Sequence, residues 1–189
     1  RLYGPLALAT IAERLLLASP AHEGDALPLS IEGGMAWARL RFDAPVAVYV
    51  SPHNQPEAEA PLRELCESFG ELRSVSTSQE GGARWLLWLS PTCFEGESGA
   101  RLEAEVAAAL VSGRHPLMLY SPEAAAFGQI IAATPKALVD ARLYGPLALE
   151  WRGGLHRAVS VRLVARALGA RAEGGGGCAA CVVEACRAL

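Results

Sequence analysis

Residues 85–120 read WLLWLSPTCFEGESGARLEAEVAAALVSGRHPLMLY, and the pattern changes twice along them. Residues 85–89 form a continuous apolar run closed by Ser90 and Pro91. A short run of this kind, with a turn signal behind it, reads as a strand buried on both faces. Between Ser98 and Ser112 the apolar residues Leu102, Val106, Ala109 and Leu110 recur at the spacing of one helix face. Ser98 is the expected N-cap and Gly113 the expected stop. Leu117–Tyr120 is again continuous and apolar, closed by Ser121 and Pro122. Strand, helix and strand in this order predict a parallel unit inside an α/β sheet.

The same alternation continues on both sides. Upstream, Val46–Val50 is a β-branched and aromatic run ended by Ser51, Pro52, His53 and Asn54. Leu62, Leu65, Cys66 and Phe69 then lie on one helix face, and Gly70 follows. Residues 72–77 read as a strand. Only a short loop separates them from the strand at 85, whereas a parallel crossover normally takes a dozen residues or more. The expectation is that a helix has been lost there and a loop makes the crossing; a local hairpin is the alternative. Downstream, Phe127–Ala133 reads as a helix broken by Thr134 and Pro135, residues 146–151 as the last strand, and residues 158–168 as a helix stopped by Gly169. The expected fold is α/β, a flavodoxin-like doubly wound parallel sheet of about five strands, with a short N-terminal helical segment. Val48, Val50, Leu87, Leu89, Leu117, Leu119 and Leu147 are expected in its core.

The octapeptide RLYGPLAL occurs at residues 1–8 and again at 142–149. Chance identity of that length is improbable, so a repeat is the first explanation. Residues 1–30 therefore read as a strand/helix arm and linker, the end of a preceding repeat or a duplicated arm. Residues 31–170 form the α/β domain, in which 31–42 is an extra edge strand or a turn-rich lead-in. Residues 171–189 are a Gly-rich hinge and a Cys-containing tail. The chain opens at Arg1 without an initiator methionine, which predicts a fragment, a processed product or an incomplete reading.

Composition excludes several classes. The 51% hydrophobic share is enough to fill a core, so disorder is excluded. A formal net charge of −3 argues against a nucleic-acid binder with a broad basic face. Lys136 is the only lysine among 17 basic residues, which points to a coding bias toward arginine rather than to phosphate recognition. No apolar run reaches the ~18–20 residues of a membrane span, so no direct span is expected. The five cysteines are unevenly spaced, which predicts a reduced intracellular compartment, cytoplasmic or organellar, rather than a disulfide framework. Cys178 and Cys181 make one isolated C-x-x-C pair with no matched histidine or second pair, so no metal site is expected.

In an open α/β sheet, ligands bind beyond the carboxyl ends of the strands, where the strand order reverses. That rule selects Ser51, His53 and Asn54 after the first strand and Ser90 and Thr92 after the third. It also selects Ser121 and Glu123 after the fourth. Glu103 and Glu105 sit early in the helix that follows Ser90. No dinucleotide glycine fingerprint, P-loop, nucleophile elbow or H-E-x-x-H is present in the chain.

Residues 86–123, with a strand ending in Ser90, Glu105 eight residues before Gly113 and a strand opening after Pro116, resemble the central strand, helix and strand of Toll/interleukin-1 receptor (TIR) domains. Phe127-Gly128, Thr134-Pro135 and the Gly154–Ser160 G-x-x-R-x-V-S run resemble the end of TIR-like modules of large dinoflagellate and microalgal proteins. The likeness covers roughly residues 45–170. It implies a protein-interaction or assembly module within a larger signalling or scaffold polypeptide, with protein partners or self-association. The alternative it implies is a NAD glycohydrolase or nucleoside-processing enzyme. Glu105 would then be the catalytic residue, Ser51, His53, Asn54, Ser90 and Thr92 would bind the ligand, and NAD would be substrate rather than cofactor. A third implication is an accessory subunit of a large complex. The sequence departs from the family in two places: Gly99, Ala100 and Arg101 stand where an aromatic residue usually precedes the glutamate, and the second-to-third strand connection is short.

Overall fold

A computed structural model describes Ile11, residues 40–78 and residues 82–172. These fall into two compact units. The larger, residues 42–169, carries a five-stranded sheet. Its strands are β2 (Val46–Val50), β3 (Leu72–Val75), β4 (Arg84–Leu89), β5 (Leu117–Tyr120) and β6 (Leu149–Glu150), in the order β3-β2-β4-β5-β6. Every neighbouring pair is parallel. The helices are α1 (Glu59–Ser68), α2 (Gly96–Val111), α3 (Phe127–Ala133), α4 (Lys136–Asp140) and α5 (Arg157–Leu168). This is the doubly wound, flavodoxin-like arrangement expected from the alternating pattern. In the other unit, β1 (Leu40–Arg41) pairs antiparallel with β7 (Arg171–Ala172). Leu40 and Arg41 thus form no edge of the main sheet.

The strands read as continuous apolar runs because both of their faces are covered. Successive side chains point to opposite faces. On one face Ala47, Tyr49, Trp85, Leu87, Leu89, Met118 and Tyr120 pack with Leu102, Val106 and Ala109 of α2 and with Ile130 and Leu138. On the other, Val48, Leu86 and Leu119 are fully buried, and α1 and α5 pack together with Leu62, Leu65, Val164 and Leu168 inside. Burial of these aliphatic side chains stabilises the fold by roughly 1.5–3 kcal/mol for each full side chain.

The short crossover is resolved in favour of the lost helix. β4 pairs in parallel with β2, not with β3. The register explains why eight residues suffice between Val75 and Arg84. Val75 lies opposite Tyr49 and Arg84 opposite Val48, so the chain returns by one residue along β2. It must also pass two strand spacings, about 10 Å in all.

Three expectations are corrected. α2 begins at Gly96 with Glu95 as N-cap, so Ser98 lies in its first turn rather than capping it. The last strand is only Leu149–Glu150. The second copy of the octapeptide is mostly turn: Arg142 has a φ of 61°, and Gly145 donates its N–H to the Arg142 carbonyl at 2.9 Å. Leu147 is accordingly 73% exposed, while Val50 and Leu117 are half-buried. Leu143, in the same octapeptide, supplies the buried anchor instead. Gly113 does end α2, at a φ of 72° that side-chain-bearing residues rarely adopt. The first octapeptide, the linker, the 174–177 glycines and the C-terminal cysteines lie outside the described residues.

Candidate active site at the switch point

The strand order reverses between β2 and β4, because the chain leaves β2 toward β3 and later returns to β2's other side. The loops after these two strands therefore flank a crevice at the carboxyl edge. Gln55 bridges them: its Nε2 donates to Thr92 Oγ1 at 2.7 Å. Ser90 Oγ accepts the Thr92 N–H at 3.2 Å and lies 3.4 Å from the Thr92 hydroxyl, which ties the β4 loop into a tight turn.

Glu105 reaches this edge from the third turn of α2. Both of its oxygens are engaged by hydroxyls of β2 and the residue after it. Tyr49 donates its O–H to Oε1 at 2.5 Å, and Ser51 donates to Oε2 at 2.5 Å. Ser51 Oγ also accepts the His53 N–H at 3.1 Å, so its single proton is left for the carboxylate. Tyr49 and Ser51 are buried, whereas Glu105 is half-buried and remains within reach of solvent. Trp85 lies beside the Tyr49 ring, with centroids 5.9 Å apart. Burial first, and the bond to Glu105 second, push the Tyr49 phenol up to about 12. Among the described residues no basic side chain pairs with Glu105.

Of the residues selected from sequence, Ser51 and Glu105 are in direct contact. Ser90 and Thr92 bond one another. Asn54 turns its Oδ1 back to the Gln55 N–H at 2.8 Å, and its buried Nδ2 has no partner among the described residues. Among the described residues, His53 joins the network through its backbone N–H. Glu103 takes no part in it. Ser121 and Glu123 belong to a separate cluster at the far end of the sheet: Ser121 Oγ donates to Glu123 at 2.9 Å, and the Gly153 N–H donates to it at 3.1 Å. Sequence reasoning missed Tyr49 and Gln55. Tyr49 reads as an ordinary core residue of an apolar strand; the one available signal is that a buried tyrosine usually finds a partner for its hydroxyl.

An open groove of about 1030 Å³ adjoins the crevice on the α1 side. Ser51, Asn54, Gln55, Glu59, Arg63 and Cys66 help to line it, and Glu105 does not. Burial pushes the Cys66 and Cys93 thiols up, which makes both poor nucleophiles. No group of three or more His, Cys, Asp or Glu among the described residues could hold a metal ion. No helix among the described residues is long and apolar enough to cross a membrane.

In comparisons with protein-family models, curated proteins and solved structures, the chain matches none of them.

Proposed function

We propose that residues 42–169 form a TIR-like domain that cleaves the N-glycosidic bond of NAD or a related nucleoside, with Glu105 as the reacting carboxylate. The observation that carries this reading is the placement of Glu105: on α2, at the switch-point edge, oriented by two hydroxyls and uncompensated by any described cation. A carboxylate with spare lone pairs is suited to a ribosyl centre that gains positive charge. In the step, the bond from ribose C1′ to the pyridinium nitrogen breaks and its electron pair returns to the nitrogen. Nicotinamide leaves neutral. Water adds to C1′ and gives its proton to solvent. Ser51 and Tyr49 hold the carboxylate in place, while Asn54, Ser90 and Thr92 supply polar contacts for the rest of the ligand. The test is incubation of the purified chain with NAD, with nicotinamide followed by chromatography. Release that Glu105→Gln suppresses supports the reading, and no release by the unmutated chain overturns it.

A second reading, an assembly module with protein partners or self-association, is favoured by a different observation. Ile131, Val139 and Leu147, large apolar residues of the stretch from α3 to β6, are exposed. Light scattering across a concentration series should then show self-association that Leu147→Glu weakens. A monomer at every concentration counts against self-association.

A further inference from the structure

We infer that Tyr49 is a positioning residue for Glu105, fixing through its hydroxyl the direction from which the carboxylate meets a ligand. The inference rests on the reading of Glu105 as the reacting group. Three observations carry it. The Tyr49 hydroxyl reaches across the sheet to an α2 side chain 56 positions later in the chain, at 2.5 Å, and no other bond from α2 to β2 itself involves a charged group. The ring cannot swing away, because Tyr49 is 5% exposed and packs against Trp85. The other carboxylate oxygen is held by Ser51, whose hydroxyl is itself aimed by the His53 N–H. Two anchored donors on two different oxygens define the plane of the carboxylate, whereas one donor would let it rotate.

The consequence is directional. A glutamate on a helix has three side-chain torsions, and holding a reacting group within a fraction of an ångström matters: a displacement of about 1 Å can cost ~10²-fold in rate. Tyr49→Phe keeps the ring, its volume and its contact with Trp85, and removes only the oxygen. It should lower kcat for nicotinamide release by about 10²-fold with KM changed less than about threefold, since the substrate is still bound and only the reacting group is loose. Ser51→Thr, which keeps a hydroxyl, should retain far more activity than Ser51→Ala. A second measurement does not depend on turnover. In the domain labelled with ¹³C-glutamate, three-bond couplings along the Glu105 side chain should report one rotamer in the unmutated protein and averaging in Tyr49→Phe. If the couplings average and the unmutated protein releases no nicotinamide, the glycohydrolase reading fails and the positioning contact stands. If one rotamer persists in Tyr49→Phe, or if kcat is unchanged, Tyr49 does not position Glu105 and the inference is overturned.

Discussion

The carboxyl edge of the sheet carries the same pairing twice, a strand tyrosine donating to a glutamate, and the two copies are finished differently. At one end Tyr49 donates to Glu105 and Ser51 adds a second hydroxyl. At the other, Tyr120 donates to Glu150 at 2.9 Å, and Arg152 Nε approaches the same carboxylate at 2.6 Å. Nearby, Glu123 is tied to the Gly153 backbone. The second cluster thus neutralises one carboxylate with a guanidinium and spends the other on a loop. It is a latch that closes the turns after β5 and β6. The first orients a charge without cancelling it. A half-buried carboxylate with no paired cation adds little to stability by electrostatics alone. That contrast favours Glu105 over Glu150 as the proposed reacting group.

The largest expected effect tests this contrast directly. Glu105→Gln should lower nicotinamide release by about 10²–10³-fold, the scale for removing one group that stabilises transition-state charge. Its melting temperature should change little. Glu150→Gln should do the opposite: full turnover, with about 1 kcal/mol of stability lost with one charged hydrogen bond. Glu103→Ala serves as the control, since it lies about 200° around α2 from Glu105 and should be silent. Loss of turnover in Glu150→Gln with Glu105→Gln active would exchange the two assignments.

Gly99→Ala should separate the clusters through the backbone. A Cβ at Gly99 would stand 2.2 Å from the Phe94 carbonyl carbon and 2.6 Å from its oxygen. These are backbone atoms, so the first turn of α2 must move. The expected loss is about 1–3 kcal/mol, read as a shift in the urea midpoint. Because α2 carries Glu105, turnover should fall as well, while the Glu150 cluster is spared. A variant as stable as the unmutated chain would show that α2 adjusts freely.

The fold was legible because its signals are local. Apolar runs closed by Ser-Pro, and helix faces with glycine stops, specify where strands and helices lie and that the strands are parallel. Even the lost crossover helix could be seen as a missing length of chain. The errors came where one residue decides a local conformation. The 142–149 octapeptide has strand-like composition, but Arg142 in a left-handed conformation turns it, which leaves Leu147 outside. The site was half legible. The switch-point rule selected Ser51, and the TIR resemblance, through its glutamate-to-glycine spacing, selected Glu105 over Glu103; the structure brings these two side chains, Ser51 and Glu105, into contact. Tyr49 was not found, since its role depends on which α2 side chain reaches its hydroxyl. Gly99 was read as a missing aromatic residue, when it is where α2 presses on the Phe94 backbone.

A smaller effect should appear in alkali. The Tyr49 phenol is pushed up from 10.0 to about 12, so the fold favours its neutral form. The unfolded chain releases that proton first. The associated stability is therefore complete below pH 10, falls between about 10 and 12, and levels off above. Urea midpoints across this range should drop less steeply for Tyr49→Phe. Burial also raises the Tyr144 phenol, but that contribution is present in both proteins and cancels in the difference. Identical slopes would mean that neither burial nor the bond to Glu105 holds the Tyr49 phenol in its neutral form.

The smallest effect belongs to the latch and has the opposite pH sign. The Gly153 N–H, foremost among several bonds, holds the Glu123 carboxyl below its ordinary value of 4.5. A carboxyl lowered by folding stabilises the native state above its unfolded value, and that contribution is lost as pH falls through the lower native one. Glu123→Gln should thus remove a shallow acid limb and leave stability near neutrality slightly reduced. Glu123 is exposed, so water and salt screen the effect, and raising ionic strength should shrink it further. Turnover should not change, because Glu123 closes the turn after β5 and lies away from Glu105 in the bonding network. Reduced nicotinamide release by Glu123→Gln at unchanged stability would join the two clusters into one site, and the distinction between an oriented charge and a neutralised latch would then have to be abandoned.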